Sequence, residues 1–117
     1  MDYSFPKIEK LCGKQAVEEL YKKGKRFVAW PLRVCYTPTA DGCNKVLIWA
    51  PKSLFRHAVD RNRLRRQMRE AYRLHKHLLD NQSTHYHIAF NYMDKSMQDY
   101  KIIAKAMRKA LGKIQEK

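Results

Sequence analysis

The residues of this chain with the clearest chemical potential are arginines crowded into one short segment. From Arg56 to Lys76 there are eight Lys or Arg residues and two acids, so 21 residues carry +6 of the net charge of +14. Seven of those eight basic residues are arginine, whose planar guanidinium stays charged and presents forked donors. Such donors match phosphate oxygens, and neighbouring like charges repel until an anion neutralises them. The segment therefore predicts contact with a phosphate backbone.

The spacing within this segment predicts one amphipathic helix that begins between Ser53 and Ala58 and ends near Leu79. At 100° per residue the apolar side chains share one arc, formed by Leu64, Met68, Ala71, Tyr72, His75, Leu78 and Leu79. The adjacent arc is a row of cations, here called the basic rail, formed by Arg61, Arg65, Arg69, Arg73 and Lys76. Further polar residues lie beside the rail or further round the helix: Asn62, Arg66, Arg63 and Glu70. We expect the apolar arc to pack on a sheet and the rail to face outward.

The sequence shows no catalytic signature of its own. Its eleven acids are scattered, without a D-x-D or E-x-x-D cluster that could converge on Mg²⁺. Asp60 and Glu70 lie among arginines, where charge pairing explains them. His85 and His87 stand two apart on a predicted strand; a metal could bridge them, but partly exposed polar residues of a strand explain them as well. We expect no metal or other cofactor bound by the protein alone.

Size and composition predict one folded domain of 117 residues with a single core, because 44% of the residues are hydrophobic. The excess of 25 basic over 11 acidic residues points first to nucleic acid and second to an anionic membrane surface. No apolar run approaches the roughly 20 residues that span a bilayer, and the N-terminus lacks an apolar signal core. The cysteines are odd in number and form no CxxC pair, so we expect reduced thiols and a cytoplasmic protein.

The first half of the chain predicts a helix followed by strands. Lys14–Lys23 has helical spacing, and Gly24 follows as a helix stop. Leu32–Thr37 alternates Leu, Val and Tyr against Arg and Cys, as a half-buried strand does. Phe27–Trp30 is a candidate for one additional short strand. The apolar run Lys45–Ala50 predicts a strand covered on both faces.

The remaining patterns complete an α+β fold. Pro38 and Asp41-Gly42 predict a hairpin-type connection between the strand at Leu32–Thr37 and the strand at Lys45–Ala50. Tyr86–Asn91 predicts a strand after the basic helix. The last helix carries an apolar stripe formed by Ile103, Ala106, Met107, Ala110 and Ile114. The order α-β-β-α-β-α, with one optional strand, indicates helices packed on a small mixed sheet of three or four strands.

At the basic segment the sequence resembles the protein component of bacterial ribonuclease P. The match is the sixteen-residue block Ala58–Arg73, with Ala-Val, then Arg-Asn-Arg, then paired basic residues and Arg-Glu followed by an aromatic. The start Phe5-x-Lys7-x-x-Lys10-Leu11 and the order of strands and helices agree as well. The resemblance spans nearly the whole chain.

The resemblance implies a single ribonuclease P protein-like domain with a left-handed crossover around the Arg-rich helix. It also implies a partner, the large catalytic RNA, which binds the Mg²⁺ ions of the holoenzyme. The protein would dock on this RNA and hold the single-stranded 5′ leader of precursor tRNA in a cleft between sheet and helices. The holoenzyme removes the leader by endonucleolytic cleavage. No membrane and no obligate protein partner are implied.

Carried over residue by residue, the resemblance assigns two sets of contacts. The set for the RNA subunit is Arg61, Asn62, Arg63, Arg65, Arg66, Arg69 and Arg73. The set for the leader is Val17, Tyr21, Tyr36 and Lys52. Tyr21 and Tyr36 keep a ring that can stack on a base, whereas Val17 stands where an aromatic is usual. Ile48–Ser53 also departs from the family's Ser-Val-Ser-Lys-Lys run.

Three other interpretations of the charge and helix pattern stay open at this point. One is a ribosomal or assembly factor that binds RNA without an associated nuclease. Another is a DNA-binding module with the Arg helix in the major groove, although no second helix directly precedes the basic one. The third is a nuclease that acts without an RNA subunit.

Overall fold

Four strands form one mixed sheet, and three helices pack on it. The computed structural model describes residues 10–11, 13–40, 43–79 and 84–115. The elements within these ranges are α1 (Lys14–Lys23), β1 (Lys25–Ala29), β2 (Leu32–Thr39), β3 (Lys45–Trp49), α2 (Ala58–His75), β4 (His85–Tyr92) and α3 (Tyr100–Gln115), with a 3-10 turn (Lys76–Leu79) directly after α2. The optional strand at Phe27–Trp30 is real and corresponds to β1. The predicted α+β class is confirmed.

The strand order is β1-β2-β4-β3, with β4 parallel to β3 and antiparallel to β2. The predicted hairpin between β2 and β3 is therefore wrong, since β4 lies between them: Phe90 of β4 is in register with Val34 on one side and Ile48 on the other. The turn residues Asp41-Gly42 themselves lie outside the described residues. The chain crosses from β3 to its parallel neighbour β4 through α2. The left-handedness of this crossover stays a prediction.

One face of the sheet forms the main core with α2 and α3. The sheet contributes alternate residues of its strands, among them Val34, Tyr36, Ile88 and Phe90, each almost inaccessible to solvent. The predicted apolar arc of α2 supplies Leu64, Met68, Ala71 and Tyr72, all buried. The predicted stripe of α3 is buried in the same core. Burial of these arcs fixes the rotation of both helices. The rail does not simply face outward as expected, because Arg65 and Arg69 lie beside β3 at the edge of the sheet.

Of the described residues, Leu11 and those of α1 cover one end of the other face of the sheet. Leu20 of α1 packs there with Leu11, Cys35 and Ala89 in a second, smaller cluster. Gly24 ends α1 in an extended conformation, φ −72° and ψ 152°, rather than the left-handed one that often closes a helix. A glycine is required at this position because neighbouring atoms leave no space for a side chain. A Cβ on Gly24 would lie 2.5 Å from the Leu20 carbonyl oxygen and 2.6 Å from Cys35 Sγ. Within the described ranges, the side chains at the other end of this face line an open cleft.

The strand β3 lies at the edge of the sheet, not inside it. Val46 is buried, but Trp49 at the other end of the strand is 47% exposed. The expectation of cover on both faces is therefore wrong for the end of β3. An apolar run is found both in a central strand covered on both faces and in an edge strand with one face exposed to a cleft, so it does not distinguish the two.

Candidate nucleic-acid interface

The open face of the sheet forms a cleft of about 810 Å³ next to α1. A cross-strand row of side chains makes up its floor, because Val28 is in register with Arg33, Arg33 with Asn91, and Asn91 with Trp49. Residues in register on one face of a sheet are neighbours. The described residues that line the cleft include two arginines, two tyrosines and a tryptophan, and no acid. Cations beside exposed rings suit a single-stranded nucleic acid, whose phosphates and bases they can contact together.

Tyr21, which the resemblance assigns to the leader, forms part of the wall of this cleft, and its contact with the leader stays a prediction. Its side chain projects from α1, and its hydroxyl oxygen accepts a hydrogen bond from Asn91 Nδ2 at 3.0 Å. This bond ties α1 to β4 and holds the ring at the cleft. Val17, one turn earlier on α1, packs half-buried in the smaller cluster with Leu20 and supplies no ring.

Tyr36 was expected to stack on the leader, and the structure contradicts this. Its ring is 4% exposed and lies on the opposite face of the sheet, edge-on to Phe27 and Tyr86 with centroid distances of 5.8 Å. The physical reason is strand alternation: Tyr36 shares a face with Leu32 and Val34, and that face is the core. In this chain the neighbour on the cleft side is Cys35, which α1 covers.

Lys52 lies exposed in the turn after β3. Pro51 and Ser53 on either side of it both line the cleft. Lys52 therefore stands at the rim, where a flexible ammonium can reach a phosphate.

Three arginines of α2 are exposed and make no hydrogen bond or ion pair with the rest of the described chain: Arg63, Arg66 and Arg69. We call them the free arginines. Their charges lie on a helix anchored by its buried arc. Arg63, which the helical projection places away from the rail, belongs to this group.

Other arginines of the predicted set are already engaged. Arg61 is half-buried, and its Nη1 donates to the carbonyl oxygens of Phe55 at 2.8 Å and Arg56 at 3.0 Å. It thus holds the turn that leads into α2. Arg65 donates to Asn62 Oδ1 and lies over the Trp49 ring, 5.9 Å from its centroid. These contacts orient the basic helix relative to the cleft.

Arg73 forms a forked pair with Glu70, one turn earlier on the same helix. Arg73 Nε lies 3.1 Å from Glu70 Oε2, and Nη2 lies 2.5 Å from Oε1. The hydrogen bonds from Arg73 lower the pKa of Glu70, and the same bonds raise the pKa of Arg73. The helical projection placed Glu70 away from the rail, but a spacing of three residues brings the two side chains together. A bound phosphate would have to compete with this carboxylate.

The basic helix and the edge of the sheet share a second, smaller cavity of about 240 Å³. Arg65 and Arg69 line it from α2, and Val46 and Ile48 line it from β3, with Lys10 at the same site. The backbone N–H of Leu11 donates to the Val46 carbonyl oxygen at 2.8 Å and so holds the segment that carries Lys10 against β3. The helix surface and the sheet edge are therefore adjacent parts of one basic surface.

The described residues contain no group of three His, Cys, Asp or Glu side chains placed to hold a metal ion. His85 Nδ1 is buried without a hydrogen-bond partner, and His87 makes a contact within the protein. Among the helices of the described ranges, none is long and apolar enough to cross a membrane.

The cleft residues that sequence reasoning missed are Arg26, Arg33, Trp49 and Asn91. A signal was present for Arg33, because the alternation of β2 places it opposite the core. No such signal existed for Trp49 and Asn91, because they become neighbours only through the parallel pairing of β3 with β4.

Comparison with known proteins identifies the family. The family model for ribonuclease P matches residues 5–115, nearly the whole chain. This chain belongs to the ribonuclease P protein family. It is therefore a protein subunit of ribonuclease P, the ribonucleoprotein endoribonuclease of tRNA processing, and its partner is the ribonuclease P RNA. The match excludes a ribosomal or assembly factor as the family of this chain.

Relatives and solved structures agree with this membership. The chain is 34% identical over 119 residues to the ribonuclease P protein component of Porphyromonas gingivalis, covering 96% of this chain and 87% of that one. It is 39% identical over 82 residues to that of Chlorobaculum tepidum, covering 65% and 53%. The ribonuclease P protein of Thermotoga maritima has the same fold, with a TM-score of 0.76 at 18% identity over 90% of this chain and 96% of that one. The Staphylococcus aureus protein gives 0.73 at 21% identity over 91% and 94%.

Proposed function

We propose that the protein docks on the ribonuclease P RNA through the outward side of α2, and that the free arginines make the principal phosphate contacts. The observation that carries this proposal is that Arg63, Arg66 and Arg69 are exposed and have no protein partner among the described residues. An unpaired guanidinium has no protein partner to give up when a phosphate binds, and each phosphate contact releases counterions from the RNA. Arg65 and Asn62 complete the surface toward the cleft.

We also propose that the cleft beside α1 holds the single-stranded 5′ leader of precursor tRNA. Arg26 and Arg33 supply cations for its backbone, and Tyr21 supplies a ring for one base. Lys52 at the rim adds a further phosphate contact. A duplex would present its bases stacked and paired, whereas the rings of this cleft require bases that are free to stack.

The protein is proposed to be the non-catalytic subunit. Hydrolysis of a phosphodiester with Mg²⁺ needs carboxylates that converge on the metal. Near the proposed RNA surface, Glu70 is bound to Arg73, and Asp60 lies among arginines that disfavour a cation. These two carboxylates therefore do not fit a Mg²⁺ site, and the proposal assigns Mg²⁺ to the RNA. The protein contributes binding energy and charge neutralisation, acts in the cytoplasm and needs no further protein partner.

The test is cleavage of a precursor tRNA at low Mg²⁺ by the RNA of the Porphyromonas gingivalis enzyme, with and without this protein. We expect correct 5′ ends only when RNA and protein are both present. Cleavage by the protein alone would instead establish a protein nuclease. A lack of effect of the protein on the RNA would reject the proposed role.

A charge-matched pair of variants tests the docking surface. Arg63→Ala, Arg66→Ala and Arg69→Ala together should weaken binding of the RNA subunit and flatten its salt dependence, because each lost phosphate contact removes about one unit of slope. The control removes three exposed lysines of α3 at Lys101, Lys105 and Lys109, so the net charge falls equally. Equal losses in both variants would mean that the total charge, and not the face of α2, determines binding.

A further inference from the structure

Trp49 is a large exposed ring at a place where the family resemblance predicts none. It ends β3 and is 47% exposed, although a tryptophan that served only the core would be covered. Its register partner Asn91 holds the Tyr21 hydroxyl. Trp49 and Tyr21 therefore line the same cleft from its two sides, with Asn91 between them.

The Trp49 ring is held in place by α2. The Arg65 guanidinium lies over it at 5.9 Å, within the range of a cation–π contact, and Asn62 accepts a hydrogen bond from the same guanidinium. An exposed indole fixed in this way has lost part of its rotational freedom before any ligand arrives. Less entropy remains to be lost when a base stacks on it.

Two of the three positions at which the resemblance predicts a leader-binding ring supply none to the cleft. Val17 has no ring, and Tyr36 is buried on the far side of the sheet. Tyr21 alone would be left to hold bases if the cleft used only the expected positions. Trp49 supplies the second flat apolar surface, in the same cross-strand row as Arg33.

We propose that Trp49 stacks on an unpaired base of the RNA strand that lies in this cleft and is the chain's own replacement for the missing leader contacts. The inference rests on the proposed function, since it takes the strand to be the 5′ leader. Arg65 is a positioning residue for the Trp49 ring. Its contact with this ring connects the proposed docking helix α2 with the proposed leader cleft.

The test compares affinities of the reconstituted holoenzyme for a precursor tRNA with its leader and for the mature tRNA. Trp49→Ala should weaken binding of the precursor by about 5- to 150-fold, the range expected for one base–aromatic stack, and leave binding of mature tRNA unchanged. Trp49→Phe should restore most of the loss. Trp30→Ala is the control, because Trp30 is 52% exposed but does not line the cleft.

Fluorescence gives a second readout that does not depend on an alanine variant folding. In Trp30→Phe, Trp49 is the single tryptophan, and stacking should quench its emission when precursor is added but not when mature tRNA is added. If the wild-type holoenzyme gains no affinity from the leader, the leader site fails and this inference fails with it. If it gains affinity and Trp49→Ala keeps that gain, or if the emission does not change, the leader site stands and the role of Trp49 is rejected.

Discussion

The arginines of α2 divide by what their guanidinium groups already contact. Arg61 holds backbone carbonyls of the preceding turn, and Arg73 holds Glu70. Arg66 and Arg69 hold nothing within the described chain and are exposed. Arginines of one helix are therefore proposed to differ in function, since the Arg61 guanidinium can bind a phosphate only by giving up its hydrogen bonds to the carbonyl oxygens of Phe55 and Arg56.

Arg69→Ala and Arg61→Ala should separate these two roles. Arg69→Ala is expected to weaken RNA association by about 1–3 kcal/mol, the size of a charge-assisted hydrogen bond, with an unchanged melting temperature. Arg61→Ala is expected to lower the free energy of unfolding by about 1–2 kcal/mol, because the carbonyl oxygens of Phe55 and Arg56 lose their donor.

Filter binding and thermal denaturation of both variants provide the measurement. Loss of stability in Arg69→Ala would place that residue in the structure. A stable Arg61→Ala would return Arg61 to the RNA-binding set.

The two long sides of helix α2 differ in environment, since one is buried in the core and the other faces solvent. Leu64 and Met68 fasten it to the sheet, and the free arginines occupy the solvent side. Its Glu70–Arg73 pair neutralises one cation of the proposed RNA surface. The pKa of Glu70 is lowered in the folded protein, so this pair stabilises the fold above the usual carboxyl pKa of 4.5 and is lost as pH falls below it.

Glu70→Gln should therefore increase RNA affinity at neutral pH. The substitution removes the carboxylate that attracts Arg73 and takes a negative charge off the surface, so a phosphate competes more easily for the Arg73 guanidinium. We expect the slope of log K against log salt to steepen by about one unit for the regained contact. Binding measured across a salt series checks this, with Glu18→Gln on α1 as a charge-matched control. An equal change in both variants would mean that Arg73 makes no new contact.

The packing of α1 on the sheet depends on Gly24. A Cβ there would meet the Leu20 carbonyl oxygen at 2.5 Å and the Tyr36 carbonyl oxygen at 3.1 Å, and neither backbone group can move freely. Gly24→Ala should therefore destabilise the protein by about 1–3 kcal/mol and displace the wall that carries Tyr21. Gly112→Ala on α3 is the control, since a Cβ there meets nothing within 4 Å.

In a helix interior alanine is favoured over glycine, so Gly112→Ala should stabilise by up to about 1 kcal/mol. Chemical denaturation of both variants measures the difference. A Gly24→Ala protein with wild-type stability would show that α1 tolerates a shift away from the sheet.

For the whole molecule, the docking helix and the cleft form one connected basic surface. Arg65 contacts the Trp49 ring of the cleft and lines the smaller cavity beside β3. Under the proposed function, a protein of 117 residues with a net charge of +14 would bring the ribonuclease P RNA and the precursor tRNA close together and neutralise phosphates of both.

The protein should consequently lower the Mg²⁺ concentration at which the RNA cleaves precursor tRNA. Neutralised phosphates repel each other less, so fewer Mg²⁺ ions are needed to assemble the complex. A Mg²⁺ titration of cleavage, with and without protein, measures the shift, and the variant lacking the three free arginines should reduce it. An unchanged Mg²⁺ requirement would reject this role of the charge.

Local sequence patterns predicted most helices and strands correctly. The leader-binding role that the resemblance assigned to Tyr36 failed because it disagreed with such a pattern. Lys14–Lys23 and the apolar arc of α2 follow from helical spacing alone, and both are confirmed. The alternation of β2 already placed Tyr36 with Leu32 on the core face, against the role taken from the resemblance. The expected hairpin failed because β4, far along the chain, pairs between β2 and β3.

The sequence by itself determined the family, the basic helix and the face on which that helix is anchored, since each depends on residue types at short spacing. Only the tertiary structure decided which arginines are free, because Arg61 meets its carbonyls through the path of a turn. It also decided that Trp49 and Tyr21 share a cleft, because their proximity arises from the pairing of β3 with β4 and from the docking of α1. Contacts between distant segments depend on strand order, which local periodicity does not encode.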